Sequence, residues 1–278
     1  MSFLRCLKTI GRPAPLIGDY DIVVSLASDV GCSRLNNEDC IQYSSLDKNR
    51  QNTLAIVADG MGGHAAGEIA SHEAVYSIQS HYFEKKYASD PIRSLKNAVI
   101  LANAHIYQLA IDDPALSGMG TTATALAIAN GFAYYAHVGD SRLYLLRNGL
   151  MQQLTQDHTL VAQMVSDGLI SPELAQTHPD RNIITRALGT KPMVDVDIVK
   201  SPIPIQNGDI FMLCSDGLYD LVAEQEIAKL VREHNPANAC DLLIKAARSA
   251  GGYDNISVII LSVQNTKAEP IKTPITKF

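Results

Sequence analysis

The chain has 278 residues, 46% of them hydrophobic, enough for a sizeable core that folds without a partner. Lys plus Arg number 23 against 29 Asp plus Glu, and the net charge of −6 excludes a surface that coats nucleic acid. No stretch approaches the ~20 apolar residues of a membrane span, and the run Met1-Ser2-Phe3-Leu4 is broken by Arg5 and Lys8 before a secretory core could form, so the protein reads as cytoplasmic.

Residues 1–19, with Gly11, Pro13 and Pro15, and residues 265–278, with Pro270 and Pro274, read as flexible tails around one domain at 20–264. Along that domain, short runs rich in Val, Ile, Leu and Tyr predict strands at 20–27, 53–58, 121–129, 132–138, 142–147, 209–214 and 256–263. Helical spacing predicts helices at 66–86 and 91–111, then at 223–232 and 236–249, the last opening on Asn235-Pro236 as cap and first-turn proline. Asn130-Gly131 and Asn148-Gly149 are hairpin signals and point to antiparallel pairing. Strand runs and helix runs stay apart, which indicates α+β layering instead of alternating βαβ units. The polar segment 151–192, with turns at Asp167-Gly168, Ser171-Pro172 and His178-Pro179 between short helical pieces, reads as an inserted flap with a binding role.

The informative feature is where the acids fall. Strand 53–58 runs into Asp59-Gly60, strand 209–214 runs through Ser215 into Asp216-Gly217, Asp140 follows strand 132–138, and Asp254 precedes strand 256–263. Glu38 and Asp39 follow Arg34 closely. A lone Asp-Gly is ordinarily a turn, but four or more acids on one rim would repel strongly without cations, and an oxygen-only donor set suits Mg²⁺ or Mn²⁺. Gly60-x-Gly62-x-x-Ala65 superficially matches a dinucleotide fingerprint, yet no strand-end acid follows about 20 residues on, and Asp59 would face the pyrophosphate. The glycines in Gly60-Met61-Gly62-Gly63 instead read as letting the backbone approach the metal cluster, since Gly lacks a Cβ. His72-Glu73 begins a zinc-peptidase motif that fails at Tyr76, leaving His72 and His81 as helix-surface or packing residues. The five cysteines form no C-x-x-C pair and read as reduced thiols, Cys214 in the core.

Eight stretches in order across residues 31–260 carry a resemblance: Arg34-x-x-Asn37-Glu38-Asp39, Val57-Ala58-Asp59-Gly60-Met61-Gly62-Gly63-His64, Gly118-Met119-Gly120-Thr121-Thr122, His137-Val138-Gly139-Asp140-Ser141-Arg142, Leu154-Thr155-Gln156-Asp157-His158, Thr185-Arg186-Ala187-Leu188-Gly189, Leu213-Cys214-Ser215-Asp216-Gly217-Leu218 and Gly252-Tyr253-Asp254-Asn255-Ile256-Ser257. Together they make the chain similar to the type 2C metal-dependent protein Ser/Thr phosphatases in their compact bacterial form. The resemblance implies a sandwich of two antiparallel sheets flanked by helices on both sides. It implies Mn²⁺ or Mg²⁺ at two core positions and a third, weaker one. Asp59 would bridge the core pair, with the Gly60 carbonyl on one ion and Asp216 and Asp254 on the other. Glu38 and Asp39 would hold coordinated waters, Asp140 would join Asp216 at the third position, and Arg34 would grip phosphate. Attack by a bridged water on phosphorus, without a covalent intermediate, would release phosphate from phosphoserine and phosphothreonine. The expected partners are phosphoproteins, targets of a Ser/Thr kinase, and the expected state is a monomer. Animal members place a histidine directly after the Asp-Gly; here that position is Met61, and His64 is a candidate acid for the leaving alkoxide. Two other functions stay open: a weak phosphatase-like module that binds a partner, and a hydrolase of small phosphomonoesters.

Overall fold

The computed structural model describes residues 20–46, 52–62, 66–84 and 90–265. Both predicted tails, apart from Asn265, lie outside the described residues, as does His64. The elements in chain order are β1 (Tyr20–Asp29), β2 (Asp39–Ser45), β3 (Asn52–Met61), α1 (Ala66–Tyr82), α2 (Pro91–Asp112), a 3₁₀ turn (Pro114–Leu116), β4 (Gly120–Thr121), β5 (Ala123–Ala129), β6 (Phe132–Val138), β7 (Arg142–Arg147) and β8 (Leu150–Gln153). There follow α3 (Leu160–Ser166), α4 (Pro172–Gln176), β9 (Asp197–Ile198), β10 (Ile203–Pro204), β11 (Ile210–Cys214), α5 (Asp216–Tyr219), α6 (Glu224–Glu233), α7 (Pro236–Ser249) and β12 (Ile256–Asn265).

Two antiparallel sheets result, one ordered β1-β12-β11-β7-β8 and the other β10-β6-β5-β3-β2, with β4 on β3 and β9 on β6. Their facing sides share a core of Ala55, Val57, Leu126, Leu143, Phe211, Leu213 and Ile259. The opposite parity of β3 and β5, including Leu54, Ile56 and Ala125, packs under Ala70, Ala74 and Ile78 of α1 and Leu95, Val99 and Ile106 of α2. Strands covered on both faces read as continuous apolar runs, which is why β3 and β5 stand out in the sequence. On the other flank α7 lays Ala239, Cys240, Leu243 and Ala247 against Met212, Val258 and Ile260. The layers are therefore helix, sheet, sheet, helix, as the resemblance implied. Among the described residues no helix is long and apolar enough to cross a membrane.

Both predicted hairpin turns form, with Asn130 and Gly131, then Asn148 and Gly149, all at positive φ as a two-residue primed turn requires. They belong to different sheets. β5–β6 closes in one sheet and β7–β8 in the other, so the chain crosses between sheets at Gly139-Asp140-Ser141. Gly139 makes the crossing at φ +108°, and a Cβ there would collide with Thr122. Strand β8 takes residues 151–153, so the irregular part of the segment expected at 151–192 starts after Gln153.

Four strands, β2, β8, β9 and β10, and the short α5 have no clear signal in the sequence. β2 opens on an acid and carries Gln42, Ser44 and Ser45, and β9 and β10 are two residues each. Such edge pieces take their conformation from the strand they join, not from their own propensity.

Candidate metal centre

Antiparallel pairing puts the N-terminal end of β2 beside the C-terminal end of β3, the N-terminal end of β12 beside the C-terminal end of β11, and, through β5, the C-terminal end of β6 at the same edge as that of β3. Asp39 lies opposite Asp59 in the β2–β3 register. Asp140 sits at the crossing after β6, Asp216 opens α5 after β11, and Asp254 precedes β12. The field at Asp59 reports the convergence: its carboxyl is pushed well above the ordinary carboxylate range, first by burial and then by Asp39, Asp216, Asp140 and Asp254. Asp216 is raised likewise by burial, then by Asp140, Asp254, Asp220 and Asp39. Burial also lifts Asp39 to about 6 and, with Asp157, Asp140 to about 7. Glu38 is raised chiefly by burial, partly offset by Arg34.

Asp39 and Asp140 are buried, whereas Asp59, Asp216, Asp254 and Glu38 are each partly exposed. Protein crowds Asp59 and Asp216 enough to shift their protonation, yet that partial exposure is what lets a ligand reach them.

Each acid is set by its neighbours. The Asp59 amide donates to Thr122 Oγ1 at 2.9 Å, and its carbonyl accepts from Thr121 Oγ1 at 2.9 Å and the Thr122 amide at 2.8 Å. Ser215 Oγ donates to Asp39 Oδ2 at 2.7 Å and accepts from the Ser257 amide at 3.0 Å. The Asn255 side chain pins the β1–β2 connection at three points, donating to the carbonyls of Val30 and Asn36 and accepting from the Glu38 amide at 2.8 Å. Gly60 lies so close to the start of α1 that a Cβ would enter the Gly67 carbonyl, and a Cβ at Gly67 would strike the Glu38 carboxylate. The glycines were expected to let the backbone approach a metal cluster; the close contact of Gly60 is with Gly67 of α1 and the Glu38 backbone. Sequence reasoning assigned no role to Thr121, Thr122, Ser215 or Asn255. Ser215 and Asn255 could have been found as small polar residues beside a strand-end acid; the threonines depend on strand pairing that the sequence does not announce.

Arg34 Nη2 donates to Asp254 Oδ2 at 2.7 Å, with the arginine side chain half exposed. Cys32 is exposed nearby, and Cys214 is buried in β11 as expected.

The residues fit a hard divalent cation. The donors are oxygens, the like charges raise one another's pKa, and Asp39 Oδ1 and Asp216 Oδ1 are buried with no hydrogen-bond partner. Among the described residues no three acidic, thiol or imidazole side chains stand close enough together to hold an ion as they are placed, so the fit rests on the donor chemistry and the orphaned oxygens. A separate concavity of about 280 Å³, lined by Tyr107, Ile111, Ser117 and Thr190 among others, lies by the end of α2 and contains none of the carboxylates.

The geometry agrees with three comparisons. The protein phosphatase 2C family model matches residues 32–242. The protein phosphatase PhpP of Streptococcus pneumoniae is 38% identical over 251 residues, covering 88% of this chain and 99% of that protein. The crystal structure of the Mycobacterium tuberculosis serine/threonine phosphatase PstP superposes with a TM-score of 0.79 at 36% identity, over 88% of this chain and 99% of that one. The PstP catalytic domain solved with two manganese ions gives a TM-score of 0.76 at 34% identity, over 88% and 100% of the two chains. With the motifs in order, the acids on one rim and the sandwich shared throughout, the chain belongs to the protein phosphatase 2C family.

Proposed function

We propose that this protein hydrolyses phosphoserine and phosphothreonine in proteins, using divalent cations held by Asp59, the Gly60 carbonyl, Asp216 and Asp254, with Glu38 and Asp39 in outer positions. The observation that carries the reading is the convergence of aspartates from separate strands, where Asp59 and Asp216 are raised by burial and by the charges of their neighbours, with two buried carboxylate oxygens unpartnered. The chemistry that Mn²⁺ or Mg²⁺ supplies when bound there is acidification of a water and neutralisation of charge developing on the phosphoryl oxygens.

The chain's own residues supply the rest. Asp59, at the end of a strand covered on both faces, has its backbone locked by Thr121 and Thr122, so its carboxylate is aimed before any ligand arrives. Ser215 holds Asp39 and leaves its second oxygen free. Arg34 exchanges one oxygen of Asp254 for those of a phosphate, a change its planar fork makes without moving the backbone. Water attacks phosphorus directly, and no side chain serves as nucleophile. His64 remains the candidate proton donor to the leaving alkoxide on sequence grounds alone, and Asp140 joins Asp216 around a third, weaker cation. A cytoplasmic monomer acting on the targets of a Ser/Thr kinase is the setting we infer.

The reading is tested by phosphate release from a phosphothreonine peptide and from sugar phosphates, with Mn²⁺, Mg²⁺ or EDTA. Wild type should turn over the peptide faster, EDTA should stop it, and Asp59→Asn should retain at most about a thousandth of the rate. Equal rates on both substrates would remove the protein-phosphatase assignment. No turnover by folded wild type with either metal would leave a binding module.

A further inference from the structure

The Gly139-Asp140 peptide, where the chain crosses between sheets, is gripped by a residue of the polar segment. The Gly139 amide donates to His158 Nδ1 at 3.0 Å, and the His158 amide donates to the Gly139 carbonyl at 2.7 Å. From the other side Tyr219 Oη donates to the Asp140 carbonyl at 3.0 Å. A backbone N–H can only donate, so His158 Nδ1 carries no proton and the neutral ring has its hydrogen on Nε2. That hydrogen has an acceptor: Asp197 Oδ2 lies 3.2 Å from Nε2. Arg186 Nη1, 3.0 Å from the same nitrogen, cannot bond a ring N–H and donates instead to Asp197 Oδ1 at 2.7 Å.

The ring has little freedom to turn. It is 7% exposed and lies against His137, with ring centroids 4.7 Å apart. Its own carbonyl accepts from the Thr185 amide at 2.8 Å and from Thr185 Oγ1 at 3.0 Å, which joins the two ends of the segment beside Asp140.

We propose that His158 is a positioning residue: its imidazole, fixed as the Nε2–H tautomer between the Gly139 amide and the Asp197 carboxylate, holds the Val138-Gly139 peptide while its backbone amide holds the Gly139 carbonyl, and the two together set the aim of the Asp140 carboxylate. The base of the segment from Leu154 to Pro192 and the cation-holding edge are thereby one mechanical unit. This rests on the reading of Asp140 as a cation-holding residue.

Two measurements test it. In the metal-free protein, ¹⁵N NMR of the imidazole should show His158 with a bare Nδ1 and a protonated Nε2; a proton on Nδ1 overturns the proposal. Mn²⁺ titration calorimetry should then show the weakest site weakened by about ten- to hundredfold in His158→Leu, a size usual for outer partners of a metal site, while the tighter sites are unchanged. His158→Asn, whose Oδ1 replaces Nδ1 as the acceptor for the Gly139 amide, should recover most of that loss. Wild-type Mn²⁺ binding in His158→Leu overturns the proposal, and so does equal loss in both variants, which would mean the ring only packs. Asp140→Asn separates the underlying reading: if that variant keeps the weakest site, Asp140 holds no cation and the proposal falls with it. Loss in Asp140→Asn with retention in His158→Leu overturns the positioning role alone.

Discussion

At the scale of single residues, the chemistry depends on side chains whose identity is visible in sequence and whose partners are not. Arg34 shows both sides. Its place four residues before Glu38 marked it, but the 2.7 Å bond to Asp254, 220 residues away, comes from the fold. A guanidinium released from one carboxylate oxygen can offer two parallel donors to a phosphate, whereas an ammonium offers a point charge. Arg34→Lys should therefore lower kcat/KM for a phosphothreonine peptide by roughly ten- to a hundredfold, the worth of one or two charge-assisted hydrogen bonds. Steady-state kinetics would check this, and an unchanged kcat/KM would remove Arg34 from phosphate recognition. The aspartates were legible because Asp-Gly at the end of an apolar run recurs. Ser215, Asn255 and His158 were not assigned roles, because a hydroxyl, an amide or an imidazole is informative only once its neighbour in space is known.

At the scale of elements, strands covered on both sides announce themselves and edge strands do not. β3, β5 and β12 bury nearly every residue and appear as apolar runs, while β2 presents only a mixed pattern. The end of the sandwich opposite the acids carries a further device absent from the pattern. Asp209, almost fully buried, accepts from Arg147 Nε at 2.7 Å, from Arg147 Nη2 at 2.6 Å and from the Gln206 amide at 2.7 Å. Arg147 Nη2 also donates to the Pro204 carbonyl in β10, so one guanidinium ties β7 and β11 of one sheet to an edge strand of the other. Removing the carboxylate strands a partly buried charge. Asp209→Ala should cost about 3 kcal/mol in chemical denaturation, at the lower end for broken buried pairs because Arg147 keeps some solvent contact. Activity per folded molecule should stay near wild type, since the edge that carries Asp59, Asp140 and Asp216 is at the other end. A loss below about 1 kcal/mol would show that the pair contributes little to holding the sheets together.

At the scale of the whole molecule, the acids make metal binding, protonation and stability one problem. Asp39 and Asp140, raised to about 6 and about 7, and Asp59 and Asp216, both raised well above the ordinary carboxylate range, bind protons in the metal-free fold that the unfolded chain has already released. Their stabilising contribution is complete below the unfolded carboxylate value near pH 4 and is lost as pH rises through about 6 to 7. In EDTA the unfolding midpoint should therefore fall between about pH 5 and about pH 8, and Mn²⁺ should restore it most at the higher pH while releasing protons. Scanning calorimetry at both values checks this; a midpoint that is flat or rises in EDTA would mean the acids are not mutually strained.

The sequence by itself determined the α+β layering, the two hairpin turns and the list of acids, because periodicity, turn chemistry and motif order are local properties. Which sheet each hairpin joined, the meeting of Asp39, Asp59, Asp140, Asp216 and Asp254 on one edge, and the grip of His158 on the Gly139-Asp140 peptide were decided only by the tertiary structure. Those contacts join residues far apart in the chain, and their energies arise only when two sheets pack and carry their strand ends to the same rim.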